Sequence, residues 1–104
     1  MNNLLYRSKL FYDDFSGQYF ESTIEDITYA IHVLNHDLAK RGYVCLNDLY
    51  RYLSIPLLPC GDELGWSAAT RWVDFKYEEV TIDDDLECYI ITMTQPPTVD
   101  YLSR

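Results

Sequence analysis

The sequence predicts an α+β domain. N-terminal helices, a long one at about 23–41 and a short one at about 47–54, pack on a C-terminal antiparallel β-hairpin or small sheet at about 71–93. Three observations carry that prediction. Apolar side chains recur at steps of three and four between Ile24 and Leu38, they do so again between Leu46 and Leu53, and the period falls to two beyond Val73. At 104 residues and 48% apolar, the chain has the length and apolar content of one packed core. Residues 1–104 therefore read as a single compact domain, without an internal repeat or a boundary.

In chain order, residues 4–20 are rich in aromatics, among them Phe11, Tyr12, Phe15, Tyr19 and Phe20. Phe11 and Phe15 stand one helical turn apart, which predicts a short helix ending near Gly17, with extended chain as the alternative. Ser22 and Glu25 have the spacing of a capping box and predict the start of the long helix. Along it Ile24, Ile27, Ile31, Leu34 and Leu38 share one face, and Lys40-Arg41 before Gly42 suits a helix C-terminus. In the short helix Leu46, Leu49, Tyr50 and Leu53 share a face, Asn47 is the expected cap and Pro56 limits continuation. The segment 59–67 combines turn formers with Trp66 and reads as an ordered loop pinned to the core by the indole. Val73, Phe75 and Tyr77 then alternate with polar neighbours. Glu87, Tyr89, Ile91 and Met93 alternate with Cys88, Ile90 and Thr92, so the second strand is apolar on both sides and reads as the more central one. Val80-Thr81-Ile82 extends the pairing, Asp83-Asp84-Asp85 makes the turn, and Pro96-Pro97 ends it, leaving a tail to dock on the domain.

Composition excludes several classes of function. No stretch approaches the roughly 20 apolar residues needed to cross a bilayer, and no secretory signal is visible at the N-terminus, so the expected location is cytoplasmic. Cys45, Cys60 and Cys88 are odd in number and lack a CxxC pair, which fits reduced thiols better than disulfides or a zinc site. The net charge of −9, from 17 acidic and 8 basic side chains, opposes direct binding to nucleic acid or to anionic membranes.

Tests for chemistry find no anchor. His32 and His36 have the spacing of helical metal ligands but no HExxH pattern accompanies them, and they read as a polar helix flank. The sequence contains no nucleophile elbow, cysteine-protease signature or phosphate-cradling glycine loop, and carboxylate pairs are too abundant to be specific. We therefore expect no enzyme, no catalytic residue, no metal and no cofactor. What stands out is a local excess of charge. Asp74, Glu78, Glu79, Asp83, Asp84, Asp85 and Glu87 fall within fourteen residues and are opposed only by Lys76. On a hairpin they predict a negative strip suited to a Lys/Arg-rich protein partner, while the plainer reading is a solvated edge that discourages sheet aggregation.

The segments Gly61–Ser67, Trp72–Phe75, Leu86–Ile91 and Pro96-Pro97 together resemble an uncharacterised family of small proteins carried by phages, prophages and mobile elements of Gram-positive bacteria. The resemblance covers most of the chain from the long helix onward and carries over no catalytic residue. It implies an inhibitor of a bacterial defence nuclease, such as a CRISPR effector, that occupies a basic nucleic-acid-binding surface as a mimic of DNA. Two alternatives remain at this point. One is a structural or assembly accessory protein of a phage; the other is a winged helix-turn-helix regulator, suggested by the order of helices and hairpin and opposed by the charge.

Overall fold

A computed structural model describes residues 8–70, 72–83 and 86–102. Strands open and close the chain, and the helices lie between them. The order is β1 (Lys9–Asp13), β2 (Gln18–Ser22), α1 (Ile24–Arg41), β3 (Tyr43–Cys45), α2 (Leu46–Leu53) and β4 (Gly65–Ser67), followed by a 3₁₀ turn (Ala68–Thr70), β5 (Phe75–Thr81) and β6 (Glu87–Met93). The expected arrangement of N-terminal helices on a C-terminal hairpin is thus corrected. The β5–β6 hairpin exists and is antiparallel, but it is half of a four-stranded sheet ordered β2-β1-β6-β5. The other half is an N-terminal hairpin, β1–β2, built where a short helix was expected.

The correction has a local cause. Within β1, Phe11 and Asp13 are buried while Leu10 and Tyr12 are only partly covered, which is a period of two. A carboxylate in the inward register, Asp13, hides that period from a hydrophobicity reading. The same carboxylate closes the turn: its Oδ2 accepts from the Ser16 amide (3.2 Å) and hydroxyl (2.7 Å), and Gly17, at φ +75°, donates to the Asp13 carbonyl. An Asx-type turn with glycine in the left-handed region is a hairpin signal, not a helix terminus.

β1 and β6 pair in parallel, which requires a long crossover, and the two helices lie in that crossover. β6 sits inside the sheet, as its two apolar faces suggest. α1 starts one residue later than the capping box predicts, because Ser22 still belongs to β2. Thr23 is the N-cap, its hydroxyl accepting from the Asp26 amide at 3.0 Å, and Gly42 at φ +88° closes the far end. The short helix is capped by Cys45 and Asp48, not by Asn47: the Asp48 carboxylate accepts from the Cys45 amide at 3.0 Å. Asn47 instead turns inward and binds the loop behind it, donating to the Leu58 carbonyl (3.0 Å) and Asp62 (3.1 Å) and accepting from the Leu58 amide (3.0 Å).

The core joins the inner faces of α1 and α2 to Phe11, Phe75, Ile91 and Met93 of the sheet. Trp66 of β4 is 2% exposed and its indole donates to the Gln95 carbonyl at 2.7 Å, so the loop is pinned as expected. β3 and β4 form a separate two-stranded sheet. The C-terminal tail docks beside it: Gly65 exchanges backbone bonds with Thr98, and the buried Tyr101 donates to the Asp62 carbonyl at 2.8 Å. Among the described residues no helix is long and apolar enough to cross a membrane.

Candidate functional site

The carboxylates singled out in the sequence lie on and around β5, an edge strand, but they do not form one strip. Alternation divides them. Glu79 lies opposite Tyr89 and Thr81 opposite Glu87, so Glu79 and Glu87 share the helix-side face near Tyr89. Glu78 lies opposite Ile90 and faces the other way, beside Lys76. Asp74 precedes the strand and is tied there, its Oδ1 accepting from the Phe75 amide at 2.8 Å and its carbonyl from the Thr94 amide at 2.9 Å. Asp83 stands at the hairpin tip, roughly 30 Å from Asp74 at the usual rise of a strand. Asp84 and Asp85 lie outside the described residues.

Asp74, Glu78, Glu79, Asp83 and Glu87 are all exposed. Among the described residues the ion pairs are Arg41–Asp48 (3.0 Å) and Arg51–Asp48 (2.9 Å), and neither reaches the hairpin. Its carboxylates therefore form no ion pair among the described residues, and nearby tyrosines lie in their field. Burial and then the Asp74 carboxylate push the Tyr77 phenol up; burial and then Glu79 and Glu87 do the same at Tyr89. Lys9 places its ammonium 5.7 Å from the centre of the Tyr89 ring.

Other candidates separate from one another. His32 and His36 are exposed on α1, and no group of three or more His, Cys, Asp or Glu side chains among the described residues is placed to hold a metal. All three cysteines are free, but only Cys88 is buried, Cys45 being half-buried and Cys60 exposed. Burial pushes the Cys45 and Cys88 thiols up, away from the thiolate that nucleophilic chemistry needs.

Two features escaped the sequence reading. Asp13 is 1% exposed, accepts from the Tyr50 hydroxyl at 2.5 Å, and has a second oxygen without a partner in the described structure. Burial, followed by this hydrogen bond, pushes the Tyr50 phenol up. Asn35 is 4% exposed and clamps Val73, accepting from its amide (2.8 Å) and donating to its carbonyl (2.7 Å). Polar residues on an apolar helix face were the available signal for Asn35. For Asp13 no signal preceded knowledge of the strand.

Fold and surface together define a small α+β protein with an acidic edge hairpin. Residues 2–102 match the model of a family of unknown function (DUF6353), and the chain belongs to that family. No curated protein and no solved structure gives a significant match.

Proposed function

We propose that the protein is a non-catalytic binding module whose acidic hairpin docks on the basic, nucleic-acid-binding surface of a protein partner. In its specific form this is a phage or mobile-element inhibitor of a bacterial defence nuclease, acting in the host cytoplasm by competing with DNA or RNA for a positively charged channel. The observation that carries the reading is the set of exposed hairpin carboxylates that form no ion pair among the described residues and outnumber the neighbouring Lys76. Such groups repel one another in the free protein and are relieved by a Lys/Arg-rich surface, which raises the encounter rate and fixes register. Their division between two faces and the tip suits insertion of the hairpin into a channel better than contact along one flat strip.

The test uses immobilised protein and a Gram-positive bacterial extract. A nucleic-acid-binding protein should be retained, elute as salt rises, be displaced by DNA or RNA, and lose its nuclease activity when the module is bound. Substituting Asp83→Asn, Asp84→Asn and Asp85→Asn together should weaken retention. Unchanged affinity in that variant removes the hairpin tip as the contact, and retention insensitive to nucleic acid removes the competitive mode.

A further inference from the structure

A second surface lies on the opposite side of the sheet from the helices. Tyr50 of α2 meets Asp13, and Asn35 of α1 meets Val73 just before β5, so both helices cover one face. Alternation then turns Leu10, Tyr12 and Ile90 outward, between the buried Phe11, Asp13 and Ile91. None of the three belongs to the core cluster. Cys88 is 1% exposed and is likewise absent from that cluster; it is flanked on this outer face by its cross-strand neighbours Leu10 and Val80.

A sheet face that stays in water is normally polar. Here the two central strands present apolar side chains and the charges stand on the edge strands, Glu21 on β2 and Lys76 with Glu78 on β5. Tyr19, 59% exposed, sets its ring 4.7 Å from that of Tyr12, which adds an aromatic pair with polar tips. An apolar centre inside a charged margin is the anatomy of a protein–protein interface.

We propose that the sheet face turned away from the helices, centred on the half-buried Leu10, Tyr12 and Ile90, docks a protein partner whose contact surface is apolar at its centre and basic at its margin. The proposal rests on the reading of the acidic hairpin and extends it, since Glu78 belongs to the hairpin and stands on this face. Charge selects this occupant. A chain of net charge −9 repels nucleic acid and anionic lipid, and a second copy brings a further −9 to the contact. The hairpin steers the partner, and the outer face supplies the apolar burial that slows its release.

The test compares two synthetic peptides of equal charge, one alternating Lys with Leu and one alternating Lys with Ser, binding to the full-length protein. The Lys–Leu peptide should bind at least about tenfold more tightly, a difference of about 1.4 kcal/mol. Ile90→Thr with Tyr12→Thr should abolish that preference, with thermal unfolding as the folding control. Independently, NMR of the wild-type protein should show the Lys–Leu peptide shifting the methyl resonances of Leu10 and Ile90 and leaving those of Ile91 in place. Equal affinity for the two peptides, or shifts confined to the hairpin tip, overturns the outer face as the docking site. If salt-sensitive binding of the Lys–Ser peptide persists in that case, the hairpin reading stands without it. A dimer in sedimentation that Ile90→Thr dissociates assigns the face to a second copy and overturns the proposal as well.

Discussion

Asp13 is a buried carboxylate that gathers its donors on one oxygen. Its Oδ2 gathers the Tyr50 and Ser16 donors while Oδ1 has no partner among the described residues, so each donor removed exposes the desolvation cost of a buried carboxylate. Tyr50→Phe should destabilise the fold by about 1–3 kcal/mol in chemical denaturation. A wild-type midpoint in that variant would show that Ser16 alone satisfies the group. Asp48 sets a pH limit. Desolvation works to raise its carboxyl, but the Cys45 amide and the Arg41 guanidinium outweigh it and hold the carboxyl below its ordinary value. A depressed folded value contributes stability above the unfolded value near 4, which is lost as pH falls through the folded one. Asp48→Ala should cost about 1 kcal/mol at neutral pH and flatten the stability profile below about pH 4. A steep acid limb surviving in the variant would place the dependence elsewhere. At this scale the sequence was partly legible. The charges of the hairpin could be read directly, whereas Asp13, Asn35 and Asn47 take their roles from partners 37, 38 and 11 residues away, which no local pattern encodes.

Among the elements, α1 was legible almost to the residue, because a five-member apolar stripe and a glycine C-terminus are local signals that tertiary packing reinforces. The β5–β6 hairpin was legible from the alternation of Phe75 and Tyr77 with polar neighbours and from the apolar run of β6, even though Glu79 interrupts the inward register of β5. β1 was not, since Asp13 interrupts the inward register and Phe11 with Phe15 imitates a helical pair. The short β3 and β4 strands were also missed; three residues are too few to show a period, and their pairing is fixed by a close approach. A Cβ on Gly65 would stand 2.3 Å from the Val44 carbonyl oxygen and 2.7 Å from the Tyr101 ring. Gly65→Ala should therefore break the β3–β4 pairing and release the tail, with faster hydrogen exchange at Thr98 and a lower melting temperature. Unaltered protection of Thr98 would mean that the strands shift to accommodate the methyl group. The edges are asymmetric: β5 carries Lys76, Glu78 and Glu79, which discourages strand addition, while β2 has only Glu21 and is the less guarded edge.

For the whole molecule, the first and last described strands meet in parallel at the centre of the sheet, so N- and C-terminal hairpins must be brought together across the helical crossover. That topology was beyond a reading of local periods, because nothing in β1 or β6 names the other. It also turns one acidic sequence segment into groups on two faces and a tip, with the apolar outer face between the edge strands. The charge excess itself was fully legible; its distribution depended on strand register. The central claim is that the hairpin carboxylates bind a basic partner, and the most direct measurement is the association rate of the full-length protein with the partner retained from extract, across salt concentrations. The account predicts that the wild-type rate falls steeply with salt and that Asp83→Asn, Asp84→Asn and Asp85→Asn together lower the low-salt rate by about tenfold or more. Equal rates for the two proteins at low salt would contradict it.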